Sequence, residues 1–183
     1  LVQCWVMDEE VSEYVTRAKD GDKEAFGRLY SLFLDKIYRF VYYLISDEDQ
    51  AHDITQDAFV RVWRALPGYD RERGSFSTFL YAIARNLVID NQRKRITFSL
   101  ELVGDVGQEE NFEEDIDRKE RAGKVREILA SLDGHDRELV VLRYFEEMSF
   151  KKISKIVGKQ EGAVRVKVFR ILKSLKEKLG EGI

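Results

Sequence analysis

The sequence predicts an all-α protein of two small helical domains joined by a flexible acidic linker, with a helix-turn-helix in the second domain. First, apolar residues recur at intervals of three and four along most of the chain, which is the spacing of one helix face. Second, Pro67 is the one proline among 183 residues, so little interrupts long helices. Third, this periodicity fails between residues 96 and 117, where eight acidic residues occur without lysine or arginine. We therefore expect domains at residues 8–95 and 118–183, with the linker at 96–117.

The first domain is predicted to contain four helices, each with an apolar stripe at helical spacing. They cover about residues 8–19, 22–45, 47–66 and 75–95. The third helix ends at Pro67 and Gly68, which together form a strong stop signal. The charged segment Tyr69–Ser75 then follows as a loop.

The second domain is predicted to begin with two helices, at about residues 118–132 and 136–147. The run Leu139–Leu142 has the β-propensity of a short buried strand. Its neighbours are helical, however, and no pairing partner is available, so we expect a helix here as well.

A short helix and a long one follow, separated by a tight turn. The short helix covers residues 149–158 and ends at Gly158, which suits the left-handed position after a helix. The long run, residues 161–179, has one narrow apolar stripe that we expect to pack inward. The members of this stripe are Val164, Val168, Leu172, Leu175 and Leu179. Two helices joined in this way predict a helix-turn-helix.

The charge of this segment indicates a nucleic-acid partner. Residues 151–178 contain ten basic and two acidic side chains, in a chain whose net charge is −3. Such a local excess is typical of a phosphate-binding surface. The exposed arc of the long helix is expected to present Arg165, Val166, Phe169, Arg170, Lys173 and Lys176. The alternative is a pair of ordinary surface helices with a solvated basic face.

The loop and the fourth helix of the first domain combine rings with cations. The rings are Tyr69, Phe76, Phe79 and Tyr81, and the cations are Arg71, Arg73, Arg85, Arg93, Lys94 and Arg95. Rings that stack on bases, beside cations that follow the backbone, suit single-stranded nucleic acid. Equally, Phe76 and Phe79 could belong to the core, with the cations as a solvated rim. Composition alone does not separate these two interpretations.

The sequence contains no pattern that supports an enzyme, a metal site or a cofactor. The two histidines, His52 and His135, lie in different predicted domains, and neither has a second ligand at metal-binding spacing. The longest uncharged apolar run, Phe40–Ile45, is too short to cross a bilayer. The single cysteine, Cys4, cannot form an internal disulfide. We therefore expect a cytoplasmic protein without direct membrane contact.

With these residues in view, the chain resembles the extracytoplasmic-function (ECF) RNA polymerase sigma factors of the sigma-70 superfamily. The resemblance covers roughly Gly21–Leu179 and depends on four segments in order. These are residues 21–30, 53–66, 79–95, and 139–158 together with 162–172. It implies a bacterial sigma factor that binds core RNA polymerase and directs promoter recognition, melting and transcription initiation. The alternative from another class is a stand-alone helix-turn-helix regulator of transcription.

The resemblance also implies roles for individual residues. Contacts with core polymerase are implied for Asp53, Gln56, Asp57 and Val60. Reading of the minus-ten element, with capture of a flipped base, is implied for Tyr69, Arg71, Arg73, Ser75, Phe76, Arg85 and Asn86. Reading of the minus-thirty-five element is implied for Arg165, Val166, Lys167, Phe169, Arg170 and Lys173.

The partners follow from the same resemblance. They are the coiled coil of the largest polymerase subunit, the polymerase flap, duplex promoter DNA, the melted non-template strand and an anti-sigma factor. The linker at 96–117 would thread through the polymerase channel, either as an acidic mimic of nucleic acid or as a soluble spacer.

Overall fold

The computed structural model describes residues 2–99 and 116–180, and within these ranges every element is helical. Side chains are described for residues 9–94 and 123–178. The helices are α1 (Val2–Lys19), α2 (Lys23–Ile45), α3 (Glu48–Ala65), α4 (Phe76–Ser99), α5 (Ile116–Ala130), α6 (Gly134–Val140), α7 (Phe150–Val157) and α8 (Glu161–Gly180). A 3₁₀ turn, Leu66–Gly68, follows α3, and a π-helical turn, Val141–Phe145, follows α6. The predicted all-α fold is confirmed.

The helix boundaries follow local capping chemistry. The Asp22 carboxylate accepts hydrogen bonds from the backbone amides of Glu24 and Ala25 at 2.9 and 3.0 Å. Asp47 caps α3, and Ser149 caps α7, in the same way. Each such cap is worth about 1 kcal/mol, because it satisfies an amide that has no partner within its helix. The starts of these three helices are therefore predictable from the sequence.

The predicted linker at 96–117 is described at its two ends alone. Helix α4 continues to Ser99, four residues beyond the predicted end, and no glycine or proline interrupts this stretch. Helix α5 begins at Ile116. Residues 100–115, which contain most of the predicted linker, lie outside the described residues.

The first domain is a bundle of α1–α4 around a core that α2 crosses from end to end. Its largest fully buried side chains are Leu29, Ile37, Phe40, Val41, Val62, Leu66, Leu80 and Tyr81. Aromatic pairs join α2 to α3, with ring centroids 4.8 Å apart for Phe26 and Trp63 and 4.7 Å apart for Tyr30 and Phe59. This packing fixes α3 with one face inward and the other toward solvent.

The second domain packs α6, α7 and α8 around Leu139, Leu142 and Ile153. The run Leu139–Leu142 is helical, so the alternative of a strand is excluded. The predicted helix at 136–147 changes to a π-helical turn after Val140 and ends at Phe145, two residues earlier than predicted. Glu147, in the segment that follows, has a φ of 51°. Gly158 closes α7 with a φ of 67°, the left-handed conformation expected from its position.

The buried stripe of α8 differs from the prediction. Val164 and Val168 are buried as expected, but Leu172 is 38% exposed and Ile171 is buried in its place. At 100° per residue, Ile171 lies about 20° from the direction of Val164, whereas Leu172 lies about 80° from it. Apolar residues that are four positions apart shift progressively around the helix. The step of three from Val168 to Ile171 reverses this shift and keeps the apolar stripe against the core.

Candidate nucleic-acid and polymerase interfaces

The outer face of α3 is polar and exposed. Asp53, Gln56, Asp57 and Val60 all point to solvent, and Val60 is 46% exposed. Their spacing of three and four places them along one side of the helix, opposite the buried Ile54 and Val62. The structure therefore brings together the four residues predicted to contact polymerase, as a carboxylate-rich strip with one apolar residue.

Helix α1 holds the loop Tyr69–Ser75 in place. The Lys19 ammonium donates to the backbone oxygen of Tyr69 at 2.8 Å, and the Arg71 guanidinium donates to the Ser12 hydroxyl at 2.7 Å. Within the loop, the Tyr69 hydroxyl donates to the Gly74 carbonyl at 2.9 Å. The loop is therefore pre-shaped by α1. Sequence reasoning missed this role of Lys19, because its partner is fifty residues away.

The rings around this loop are mostly in the core. Phe76 is 3% exposed, and its ring packs 5.5 Å from that of Phe33. Tyr69 and Tyr81 are also buried, while Phe79 is partly covered. In this conformation the Phe76 ring supports the loop from beneath and is not available to stack on a base. The loop instead exposes Arg71 and Arg73.

Helix α4 begins with a hydroxyl cap and carries two predicted DNA-reading residues in its middle. The Ser75 hydroxyl accepts from the Thr78 amide at 3.3 Å, so Ser75 shapes the start of the helix. Asn86 is exposed, as a residue that reads DNA must be. Arg85 is different, because its guanidinium donates to the carboxylate of Glu138 in the second domain.

The exposed face of α8 combines cations with apolar side chains. Phe169 is 68% exposed and Val166 is 50% exposed, beside the exposed Arg170 and Lys173. Arg165 pairs with Glu161 at 3.0 Å, a surface contact that solvent weakens. Such a face offers donors to base edges and phosphates, and apolar contact to thymine methyl groups.

Lys167 faces a different direction from the rest of this set. Its ammonium donates to the Asp136 carboxylate at 2.9 Å and so ties α8 to α6. The Lys167 side chain is half-exposed and that of Asp136 is 16% exposed. In this structure Lys167 therefore positions the helix-turn-helix, while Phe169 and Arg170 form the exposed face of α8.

The two domains pack against each other through contacts that the sequence did not predict. Glu146 accepts from the Arg39 guanidinium at 3.3 Å and from the Tyr81 hydroxyl, and its side chain is 3% exposed. Burial and the neighbouring Glu146 carboxylate raise the pKa of the Tyr81 phenol well above its ordinary value, so the hydroxyl stays protonated and donates. The rings of Tyr43 and Phe145 add an apolar contact, with centroids 4.6 Å apart.

Arg137 connects the same domains through backbone oxygens. Its guanidinium donates to Leu129 at 2.8 Å and to Ala130 and Leu132 at 3.3 Å, which satisfies the end of α5. It also donates to the Leu44 carbonyl of α2 at 3.2 Å. Burial lowers the pKa of this guanidinium from its ordinary value.

The described ranges, residues 2–99 and 116–180, contain neither a metal-binding cluster nor a membrane-spanning helix. No group of three or more potential metal ligands occurs in this part of the chain. None of its helices is both long and apolar enough to cross a membrane.

Comparison with known proteins identifies both domains. Residues 29–96 match the family model for sigma-70 region 2, and residues 122–175 match that for sigma-70 region 4. The chain is 30% identical over 168 residues to the ECF RNA polymerase sigma factor BldN of Streptomyces coelicolor. That match covers 89% of this chain and 63% of the relative, so this chain spans less than two thirds of BldN.

A second relative matches along nearly its whole length. This is the ECF RNA polymerase sigma factor SigW of Bacillus subtilis, 28% identical over 188 residues, with 94% of this chain and 98% of SigW covered. The fold is similar to that of the sigma factor RpoE of Bartonella quintana, in its co-crystal structure with the anti-sigma factor NepR. That likeness has a TM-score of 0.70 at 22% identity and covers 85% of this chain and 96% of RpoE.

The two matched regions coincide with the two helical units of the structure and follow each other in the same order. Region 2 spans most of α2, all of α3 and most of α4, and region 4 runs from within α5 through α6 and α7 to most of α8. The chain therefore belongs to the sigma-70 family of RNA polymerase sigma factors, in its extracytoplasmic-function group.

Proposed function

We propose that this chain binds core RNA polymerase and directs it to a specific class of promoters, where it promotes melting and transcription initiation. The observation that supports this most strongly is the presence, in one chain of this family, of two separate exposed faces. The α3 strip of Asp53, Gln56, Asp57 and Val60 has the polar character of a protein contact. The α8 face around Phe169 has the charge of a DNA contact.

Docking on polymerase is assigned to the α3 strip. Its two carboxylates and one amide accept hydrogen bonds from arginine and lysine side chains, such as those expected on the coiled coil of the largest subunit. Val60 supplies an apolar contact at the C-terminal end of this strip, where it is 46% exposed. The opposite face of α3 is buried in the core, which holds the strip toward solvent.

Reading of the minus-thirty-five duplex is assigned to the outer face of α8, which lies in the major groove in this proposal. Arg170 is free of ion pairs within the described residues, so its planar fork is available to a guanine edge. Phe169 meets a thymine methyl group, and Arg165 and Lys173 hold phosphates. Lys167 keeps α8 at the correct angle through Asp136.

Melting and base capture are assigned to the loop Tyr69–Ser75 and to Asn86. Flipping a base out of the duplex costs a few kcal/mol of stacking, which a protein pocket must recover. The loop is held in advance by Lys19 and by the Tyr69 hydroxyl, so little ordering entropy is lost on binding. Arg71 and Arg73 supply charge to the backbone of the melted strand.

The chain catalyses nothing itself, since phosphodiester chemistry belongs to the polymerase, and it acts in the cytoplasm beside the chromosome. Residues 8–95 form the polymerase and minus-ten domain, and residues 118–183 form the minus-thirty-five domain. The co-crystal of RpoE with the anti-sigma factor NepR supports a similar inhibitory partner for this chain.

Run-off transcription tests the proposal. Purified core polymerase is supplied with a pool of genomic promoter fragments, with and without this protein. We expect discrete transcripts that require it, and their aligned upstream sequences would define the two promoter elements. Absence of such transcripts, together with specific duplex binding by the protein alone, would indicate a stand-alone regulator and would remove the role given to the α3 strip.

A further inference from the structure

A cavity of about 760 Å³ lies where the first domain meets the second. Helices α1 and α2, the loop Tyr69–Ser75 and the start of α4 form one wall, and residues 145–149 with Lys152 form the other. Most of this lining belongs to neither of the faces proposed to read DNA. The volume falls within the range of about 300–1,000 Å³ that is typical of small-molecule sites. The cavity is therefore large enough for a ligand of its own.

The charged side chains around this cavity are mostly cationic. Within the described residues, its lining contains five cations and two carboxylates, a net charge of +3 in a chain whose net charge is −3. The cations are Lys19, Lys36, Arg39, Arg71 and Lys152, and the carboxylates are Glu146 and Glu147. A concave surface lined by one sign of charge concentrates the field of its charges. The cavity therefore favours an anionic ligand.

One of these cations is neutralised, whereas two others keep their charge. The Arg39 guanidinium pairs with the Glu146 carboxylate, whose side chain is 3% exposed. Lys19 instead donates to a backbone oxygen at 2.8 Å, and Arg71 donates to a hydroxyl oxygen at 2.7 Å. A neutral acceptor does not cancel the charge of a cation, and both side chains have further donors. Lys19 and Arg71 can therefore still bind an anion.

Lys36 of α2 and Lys152 of α7 have the most free donors. Within the described residues, neither ammonium group forms a hydrogen bond or an ion pair. The Lys36 ammonium lies 5.7 Å from the centroid of the Phe33 ring, which lends it no acceptor oxygen. Each ammonium has three donors, and one lysine belongs to each domain. A ligand with two or more anionic groups could therefore satisfy donors on both sides of the cavity.

The buried part of the lining is apolar. Val15, Phe33, Phe76 and Met148 are each at most 8% exposed, and the partly buried Phe145 adds a further ring. Planar rings pack favourably on aromatic and apolar side chains, whereas phosphates bind lysine and arginine. An inorganic anion would leave the apolar lining unused. This combination therefore suits a molecule that has both a planar ring and several negative charges.

We propose that this cavity binds a nucleotide that carries two or more phosphate groups. The phosphates pair with Lys36 and Lys152, supported by Lys19 and Arg71, and the base packs on the apolar lining. A nucleotide held in this way contacts both domains, so it stabilises the chain against unfolding. The inference goes beyond the proposed function and does not depend on it, since neither Lys36 nor Lys152 is assigned to a polymerase or promoter contact.

Isothermal titration calorimetry on the full chain, in magnesium-free buffer, measures the binding. The probes are ATP, GTP, adenosine and inorganic tripolyphosphate. The variant is Lys36→Gln with Lys152→Gln, which removes the two cations that have no partner. The matched control is Lys23→Gln with Lys178→Gln, which also removes one exposed lysine from each domain but lies outside the cavity lining.

We expect ATP or GTP to bind wild type and the control equally, and to raise the melting temperature of both. The charge variant should bind that nucleotide at least about tenfold more weakly, because each lysine supplies charge-assisted hydrogen bonds to phosphate. Tripolyphosphate should bind wild type at least about tenfold more weakly than the nucleotide, because it makes no contact with the apolar lining. Adenosine should give no measurable heat, since it carries no charge.

A second variant, Thr16→Trp, tests the location of the ligand without a change of charge. Thr16 lines the cavity and is exposed on α1, so an indole at this position occupies ligand space without entering the core. We expect it to weaken nucleotide binding at least about tenfold, as in the charge variant. If circular dichroism melting shows that the charge variant does not fold, Thr16→Trp decides the outcome.

Four results would overturn the inference. They are the absence of nucleotide binding to wild type, equal affinities of the charge variant and its control, an unchanged affinity of Thr16→Trp, and tripolyphosphate binding as tightly as ATP and GTP. Loss of binding in Arg165→Gln with Arg170→Gln would also overturn it, because the nucleotide would then lie on the DNA-reading face of α8. None of these measurements requires polymerase, so a failure of run-off transcription rejects the proposed function separately.

Discussion

Replacement of Arg170 by alanine should remove promoter discrimination while leaving the fold intact. Arg170 is exposed on α8 and makes no hydrogen bond or ion pair within residues 2–99 and 116–180. Substitutions at such surface positions change the free energy of unfolding by no more than about 0.5 kcal/mol. A bidentate contact to a guanine is worth about 1–3 kcal/mol of discrimination, which corresponds to about 5- to 150-fold.

Lys167→Ala is the matched control, since it also removes one cation from α8. The substitution breaks the contact of the half-exposed Lys167 with the mostly covered Asp136, which is worth about 1 kcal/mol. We therefore expect Lys167→Ala to lower the free energy of unfolding slightly and to weaken all promoters alike. Arg170→Ala should instead weaken the cognate promoter selectively.

The assay is competitive run-off transcription between a cognate promoter, taken from the pool experiment, and the same promoter with single substitutions in the minus-thirty-five element. The ratio of the two products measures discrimination directly, and it is independent of the amount of active holoenzyme. If Arg170→Ala preserves the wild-type ratio at every substituted position, the assignment of Arg170 to a base edge is wrong.

Three further predictions concern the core, the loop and a helix cap. Ile171→Ala should reduce the free energy of unfolding by about 2–5 kcal/mol, whereas the neighbouring Leu172→Ala should reduce it by less than about 1 kcal/mol. Urea titration of both variants checks the orientation of α8, and equal losses of stability would contradict that orientation. Asn86→Ala should reduce permanganate reactivity of melted thymines in the holoenzyme–promoter complex, with unchanged thermal stability because Asn86 is exposed; wild-type reactivity would count against its role. Asp22→Ala should lower the urea midpoint at neutral pH, since the Ala25 amide and then Arg17 hold the pKa of the Asp22 carboxyl below its ordinary value of 3.8. That stabilisation is present above pH 3.8 and is lost as Asp22 is protonated. The difference between the urea midpoints of wild type and Asp22→Ala should therefore narrow at lower pH, and a constant difference would contradict a stabilising role of the Asp22 carboxylate.

Local chemistry explains which parts of the fold could be predicted. The caps Asp22, Asp47 and Ser149 act within three residues of themselves, so the sequence alone locates the starts of α2, α3 and α7. Pro67 ends α3 for an equally local reason, because its ring fixes φ and its nitrogen cannot donate. The exposed polar strip of α3 followed from periodicity, since the opposite face had to be buried.

Features that depend on distant partners could not be predicted. Arg85 and Glu138 are 53 residues apart, and Arg39 and Glu146 are 107 apart. In the sequence each is one charge among many, and nothing local distinguishes a buried carboxylate from a solvated one. The position of Phe76 could not be predicted for the same reason. A ring next to cations in the sequence is as compatible with a buried core position as with base stacking, and only its contact with Phe33 shows that it lies in the core.

The distribution of charge explains how an acidic chain can still bind DNA. Residues 1–95 carry a net charge of −2, residues 96–117 carry −8, and residues 118–183 carry +7. The second domain is therefore the part that the field of promoter DNA attracts, and its attraction acts over roughly one Debye length, about 8 Å at physiological salt. Within that basic domain, Glu138 and Glu146 are buried against Arg85 and Arg39 of the first domain. Each of these carboxylates forms a neutral pair with its arginine, so neither offsets the positive charge of the exposed α8 face.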